Sequence, residues 1–173
     1  MPELQLLRAD HAPALLAFEQ ENRSYFAASV PDRGDAYFAT FAERHRELLA
    51  WQADGTGFFH VLIEEDGTIV GRVNLAHVAG GSAELGYRIA ERAAARGLAT
   101  AAVRQVCALA VAEYGLRVLY ADARVENAGS RTVLIRTGFV PTGDVTLSGR
   151  PGIRHRRELS LPSRLIDDPP SKL

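Results

Sequence analysis

The chain has 173 residues, of which 47% are hydrophobic and 24% charged, as expected for one soluble globular domain with a substantial core. The formal net charge is -1, too small to attract nucleic acid or an anionic membrane, so we expect neither as a direct partner. Cys107 is the single cysteine, which excludes an internal disulfide, and we interpret it as a buried helix residue. The chain start lacks a signal-peptide layout and no segment could span a bilayer, which favours a cytoplasmic location.

The first third of the chain is predicted to form one strand and two helices. Residues 4–8 are apolar and short, as in a strand. Asp10 can cap the helix that follows. The segment 21–30 is polar and aromatic, and we predict a loop there. A second helix is predicted over 35–53, and the Asp54-Gly55 pair that follows is typical of a helix end.

The remaining elements predict a sheet. Three strands over 58–64, 68–76 and 83–89 should be antiparallel neighbours, because turn residues separate them. The pattern then predicts a helix, a strand, a helix and two strands, over 96–114, 117–124, 129–137, 139–146 and 154–161. This order indicates a mixed α/β fold with a single central, mostly antiparallel sheet of six to seven strands, flanked by helices on both faces.

The domain is expected to end at residue 161. Residues 162–173 are polar and rich in Pro and Asp, which predicts a flexible tail. The last three residues, Ser171-Lys172-Leu173, match a peroxisomal address, which would be a coincidence in a bacterial protein.

The stretch around Gly97 has the features of an anion site. The strand 83–89 leads through a short loop into a helix whose apolar residues recur at helical spacing. A helix start offers unpaired N–H groups and the positive end of the helix dipole. Small residues at Gly97, Ala99 and Thr100 would let a phosphate or pyrophosphate approach the backbone. The alternative is a glycine that only begins a packed helix, since neither the dinucleotide fingerprint nor the P-loop pattern is present.

The segment 94–99 resembles the acyl-CoA pyrophosphate loop of the GNAT superfamily of N-acetyltransferases, whose pattern is roughly [QR]-x-x-G-x-[GA]. Gly97 and Ala99 fit this pattern, whereas Ala94 replaces the usual Gln or Arg and removes one side-chain contact to phosphate.

A second segment strengthens the resemblance. Asn127 and Ser130 match the N-x-x-S that follows a strand in this family, and Gly138-Phe139 match the end of its short helix. With the strand 85–87 and the segment 21–23, the chain resembles the Rim-type branch of ribosomal-protein N-terminal acetyltransferases over residues 4–160.

The resemblance implies an acetyl-CoA-dependent N-acetyltransferase that moves an acetyl group to a primary amine, without a metal. The acceptor would be a protein N-terminal α-amine or a small-molecule amine. By the same resemblance, acetyl-CoA as co-substrate would contact Ile89, Arg96, Gly97, Leu98, Ala99, Thr100 and Asn127. Asn is also favoured at helix starts, so Asn127 has a capping role as its alternative.

Glu84 is the candidate general base, because it lies on the central strand near the cofactor loop. Apolar neighbours would make its carboxylate a better proton acceptor. The alternative is a salt bridge to Arg72 or Arg88. His60 and His77, on or beside strands, are weaker candidates.

Ser130 is the second candidate catalytic residue, as a donor to the leaving thiolate, with helix capping as its alternative. Many superfamily members use a Tyr near this helix as general acid, and residues 131–135 contain none.

Glu21, Tyr25 and Phe26 lie in the loop that shapes the acceptor pocket in similar proteins, where a carboxylate and an aromatic ring could hold a cationic amine. Otherwise this loop would simply connect two helices. A non-catalytic acyl-CoA-binding sensor or interaction module is the alternative to an enzyme. The sequence leaves monomer and homodimer both open.

Overall fold

The computed structural model describes residues 1–160. Six α-helices, two short 3-10 helices and seven strands lie within that range; the α-helices and strands are numbered here. In chain order they are β1 (Glu3–Leu6), α1 (Ala12–Glu21), α2 (Arg23–Ala27), α3 (Asp35–Ala39), α4 (Phe41–Asp54), β2 (Phe58–Ile63), β3 (Ile69–Ala79), β4 (Ser82–Ile89), α5 (Leu98–Ala112), β5 (Val118–Arg124), α6 (Ala128–Arg136), β6 (Val140–Leu147) and β7 (Arg150–Glu158).

The strands form one seven-stranded sheet in the order β1-β2-β3-β4-β5-β7-β6. Every neighbouring pair is antiparallel except β4 and β5, which run parallel. The predicted single, mostly antiparallel sheet is therefore confirmed, including the three consecutive antiparallel strands β2, β3 and β4.

Helices cover both faces of this sheet. Side chains alternate between the faces along a strand, and the contacts of β2, β3 and β4 show which helix lies on which face. Arg72 and Arg88 reach Glu19 of α1. On the opposite face, Tyr87 reaches α6 and His60 reaches the chain just after α5.

The core lies between these layers. In α5, Val103, Val106 and Ala110 share one side of the helix and are fully buried, as their spacing of three and four residues requires. Val73 of β3 and Leu119 of β5 are equally buried. Cys107 is also buried, in agreement with its interpretation as a core residue, and burial raises the pKa of its thiol.

The parallel strands β4 and β5 separate soon after they meet. Their register pairs only residues 82–84 with 118–120. Beyond Glu84, β4 continues to Ile89 with β3 as its partner, and beyond Tyr120, β5 continues to Arg124 with β7 as its partner. A gap therefore opens within the sheet, and the chain leaving β4 leads to the start of α5 beside it.

Three sequence predictions need correction. The predicted loop 21–30 contains the short helix α2. The predicted helix 35–53 is interrupted at Thr40, whose φ is -111° and whose hydroxyl donates to the Ala36 carbonyl, so that α3 ends there and α4 begins. The last strand begins at Arg150 rather than at residue 154, because Pro151 sits in the strand while its carbonyl accepts a hydrogen bond from Val125 N–H.

The predicted tail 162–173 with its terminal tripeptide, and the domain boundary at 161, lie outside the described residues. No helix within residues 1–160 has the length and apolar character that crossing a membrane requires.

Candidate functional site

A cleft of about 970 Å³ lies where β4 and β5 separate. That volume is typical of a site for a cofactor-sized ligand. Residues 85–89 of β4 and 121–124 of β5 form its centre, and the starts of α5 and α6 form one wall. The opposite wall comes from α2 and the chain after it, together with β3.

The start of α5 borders this cleft and has the features predicted for an anion site. Gly97 precedes the helix with φ +74°, and a Cβ added there would meet no atom within 4 Å. Within residues 1–160 no side chain caps this helix start. The N–H groups of Leu98, Ala99 and Thr100 therefore remain available beside the cleft that these residues line.

The predicted cofactor residues divide into two groups. Six of them line the cleft: Ile89, Gly97, Leu98, Ala99, Thr100 and Asn127. Arg96 does not line it; its guanidinium donates to the Arg92 carbonyl at 2.9 Å on the exposed side. Asn127 also caps α6, since its Oδ1 accepts a hydrogen bond from Ser130 N–H at 3.1 Å.

Tyr87 is a site residue that the sequence analysis missed. Its hydroxyl lies 3.0 Å from Ser130 Oγ and donates to the Ser130 carbonyl at 3.3 Å. Burial raises the pKa of Tyr87, against a smaller opposite effect of the Ser130 hydrogen bond, so the phenol is protonated at neutral pH. The available signal was the alternation of Leu85, Tyr87 and Ile89, which places Tyr87 on the face that α6 covers.

Glu84 lies outside the cleft lining, at the last paired position before the strands separate. Its side chain is 50% exposed, with Oε1 3.6 Å from Arg154 Nη2 and Oε2 3.9 Å from His77 Nε2. The expected apolar setting is therefore wrong, and so is the suggested pairing with Arg72 or Arg88.

Asp122 is the carboxylate that lines the cleft. It stands on β5 two residues after Tyr120, and its Oδ2 lies 3.3 Å from Nη1 of the same Arg154 that contacts Glu84. The sequence patterns assign no role to Asp122.

Glu19 anchors the opposite wall. This carboxylate is 1% exposed, and its oxygens accept hydrogen bonds from Arg72 Nη1 at 2.9 Å, from Arg88 Nη1 at 3.2 Å and from Arg33 Nε at 3.2 Å. The carboxylate predicted for this region was Glu21, but Glu21 is exposed and does not line the cleft.

The two predicted aromatic residues do line the cleft. Tyr25 is 39% exposed, whereas Phe26 is buried, and the Arg88 guanidinium lies 4.9 Å from the Phe26 ring centroid. Asn22 holds this wall to the loop after β4, because its Oδ1 accepts a hydrogen bond from Glu91 N–H at 3.0 Å. Among residues 1–160 no cluster of three metal-ligating side chains occurs.

Comparison with known proteins identifies the family. The family model of the acetyltransferase (GNAT) domain matches residues 3–140. The chain belongs to the GNAT acetyltransferase family. It is 28% identical over 144 residues to the probable N-acetyltransferase YjcK of Bacillus subtilis (strain 168), a match that spans 79% of each chain.

Solved structures of similar fold include two Rim-type proteins. The ribosomal-protein-S5-alanine acetyltransferase of Vibrio fischeri superposes with a TM-score of 0.85 at 19% identity, over 90% of this chain and 92% of that one. Mycobacterium smegmatis RimJ, in complex with CoA-disulfide, gives a TM-score of 0.80 at 24% identity, over 90% and 80%. At these identities the likeness shows a shared fold, and the family match makes this GNAT protein an acetyltransferase.

Proposed function

We propose that this GNAT protein transfers the acetyl group of acetyl-CoA to a primary amine by direct attack, without an acyl-enzyme intermediate. The observation that carries this proposal is the cleft at the separation of β4 and β5, which is lined by residues of both sheet faces, Arg72 and Arg88 on one and Tyr87 on the other, and has the start of α5 at its side. Two substrates can therefore meet from opposite faces.

Three features of the chain support acetyl-CoA as the co-substrate. The free N–H groups of 98–100 suit the pyrophosphate. Beyond it, β4 and β5 present backbone N–H and C=O groups across the gap, which can bind the amides of the pantetheine arm as an added strand would. Asn127 and Ile89 line this path.

The acceptor amine would enter past Tyr25 and Phe26. Its neutral nitrogen attacks the thioester carbonyl, so that an N–C bond forms and the C–S bond breaks. The attacking nitrogen loses its proton to a carboxylate, and the thiolate can take a proton from the Tyr87–Ser130 pair, whose hydroxyls are 3.0 Å apart. An α-amine suits this reaction, because its pKa of about 7.7–8.0 leaves far more neutral amine at pH 7 than a lysine pKa of about 10.4.

We assign the proton-accepting role to Glu84, reached through water, since it stands two residues before the cleft-lining Gly86 on β4. Asp122 is the second candidate, because it lines the cleft itself. Both carboxylates contact Arg154. Substituting each carboxylate in turn distinguishes which of them accepts the proton.

The acceptor class in this proposal is an α-amine of a protein N-terminus or a small molecule. The name of the Vibrio fischeri structure, a ribosomal-protein-S5-alanine acetyltransferase, supports the protein N-terminus.

We also propose a cytoplasmic location, which the single buried thiol suits. A non-catalytic acyl-CoA sensor is the second proposed function, favoured by Ala94, which lacks the usual phosphate-binding side chain.

The test is a calorimetric titration with acetyl-CoA, followed by mass analysis of amine mixtures and N-terminal peptides incubated with it. We expect a saturable heat, a rise in thermal stability with ligand concentration, and a mass gain of one acetyl group on an amine. Binding without any acetylated product would support the sensor. Absence of binding would contradict both proposed functions.

A further inference from the structure

The acceptor wall of the cleft carries uncompensated positive charge. Arg33, Arg72 and Arg88 all line the cleft, and all three guanidinium groups converge on the single carboxylate of Glu19. Glu19 is absent from the residues that line this cleft, whereas all three arginines belong to its lining. Three cations against one anion leave two positive charges at this wall.

Arg72 has a hydrogen-bond donor without a partner. Its side chain is 4% exposed, and within residues 1–160 its Nε is buried without a hydrogen-bond acceptor. A buried unpaired donor on a charged group is unfavourable unless a ligand completes it. The positive surroundings also act on Arg88: burial first, and then the charge of Arg33, lower the pKa of its guanidinium to about 10.

A second unpaired group lies beside this cluster. Asn74 stands two residues after Arg72 on the same face of β3, and its Oδ1 is buried without a donor in the described part of the chain. Opposite Asn74 on β4 is Gly86, where an added Cβ would meet no atom within 4 Å. Unfilled space at Gly86 therefore lies opposite Asn74, whose buried carbonyl oxygen has the chemistry to accept a hydrogen bond from an amine.

We propose that the acceptor is an amine that also carries an anionic group, a carboxylate or a phosphate. The anionic group binds Arg33, Arg72 and Arg88, and the amine N–H donates to Asn74 Oδ1. This inference rests on the proposed N-acetyltransferase function and narrows its acceptor to amino-acid-like amines or to peptide N-termini followed by an acidic side chain. A polyamine would place further positive charge against the arginines, which disfavours it.

The first experiment compares matched acceptors. Each pair has the same amine and length and differs only by carboxylate against carboxamide: the peptide Ala-Asp-amide against Ala-Asn-amide, and glutamate α-amide against glutamine α-amide. Spermidine serves as the cationic comparison. We expect kcat/KM to be roughly tenfold or more higher for the anionic member, as for loss of a charge-assisted hydrogen bond.

The second experiment substitutes Arg33. Its side chain is 25% exposed, the most of the three arginines, so its substitution should disturb folding least. Arg33→Gln should raise KM for the anionic acceptor, leave KM for its neutral partner unchanged and alter kcat little. Arg33→Lys should recover part of the preference. Arg23→Gln is the control, because Arg23 pairs with Asp32 and Asp35 and does not line the large cleft.

Two results obtained with an active enzyme would overturn the inference. Equal or better turnover of neutral amines or spermidine contradicts it while the N-acetyltransferase function stands. A loss of CoA affinity in Arg33→Gln, without a change of acceptor preference, would show that the arginines bind an anion of the cofactor.

If no amine is acetylated, the proposed function fails, and calorimetry then tests the anion site by itself. Glutamate titrated into the CoA-bound protein should then bind, and Arg33→Gln should abolish the heat; absence of binding to the native chain overturns the anion site as well.

Discussion

At the scale of single residues, two carboxylates share one arginine at the edge of the cleft. Glu84 and Asp122 lie on the two strands that separate, and each contacts a different nitrogen of Arg154. Asp122 is 28% exposed and Glu84 50% exposed, so neither pair contributes much to stability. The difference between them is that Asp122 lines the cleft and Glu84 does not. Their substitutions therefore report on chemistry rather than on folding.

Glu84→Gln should lower kcat with a good amine by roughly 10²–10⁴, as removal of a general base does, with acetyl-CoA affinity unchanged. Steady-state kinetics and a CoA titration measure the two quantities. Asp122→Asn is the matched control, and we expect its kcat to stay within a few-fold of the native value. The reverse outcome, with Asp122→Asn inactive and Glu84→Gln active, would assign the base to Asp122 and leave Glu84 with only its ion pairs.

Local patterns in the sequence predicted the elements but not the long-range contacts of the site. The alternation in β4 and the helical spacing in α5 depend on near neighbours, so their positions could be predicted. Glu19 gave no such signal, because its partners Arg72 and Arg88 are 53 and 69 residues away. Tyr87 likewise meets Ser130 only after the chain has passed through α5 and β5.

At the scale of elements, the end of β4 and the start of α5 together form the proposed cofactor site. The motif around Gly97 could be predicted, because a glycine at positive φ before a helix depends on local conformation. The separation of β4 from β5 could not, since it depends on the register of two strands joined through a helix. A substitution of Gly97 therefore tests the helix-start part of the proposed site independently of the strand separation.

Gly97→Val should weaken acetyl-CoA binding strongly, because a β-branched side chain disfavours φ +74° and would stand where the pyrophosphate approaches. Calorimetry measures the affinity. Gly55→Val is a close control: Gly55 also has φ +74°, ends α4 away from the cleft and likewise has no atom within 4 Å of an added Cβ. Both variants should lose similar thermal stability, and equal CoA affinity in the two would contradict the assignment of α5.

At the scale of the whole molecule, the small net charge hides a local separation of charge. The formal net charge is -1, yet Asp122 is the one carboxylate among the described cleft-lining residues, against the arginines Arg33, Arg72, Arg88, Arg124 and Arg136. Composition could exclude a general attraction to polyanions but could not reveal this cleft, because the other acidic residues of the described chain do not line it.

Stability of the whole fold should depend on a histidine that joins three elements. His60 of β2 is 1% exposed, with Nδ1 3.1 Å from the Val73 carbonyl of β3 and Nε2 2.6 Å from the Tyr114 hydroxyl after α5. A neutral ring satisfies both contacts, since Nδ1–H donates to the carbonyl and Nε2 accepts from the hydroxyl. Burial lowers the pKa of His60 to about 4, because a charged ring would lose its hydration.

The unfolded chain, in which a histidine has a pKa of about 6.5, therefore binds more protons than the folded one between pH 6.5 and 4. The stability present above pH 6.5 is lost as pH falls through this window, by about 2 kcal/mol between pH 7 and 5 for His60 alone. Urea unfolding at the two pH values measures it. His60→Gln should flatten this dependence, with a remainder from His11, whose pKa burial also lowers. His77→Gln, on a side chain 80% exposed, should keep the native slope; an unchanged slope in His60→Gln would refute the role of His60.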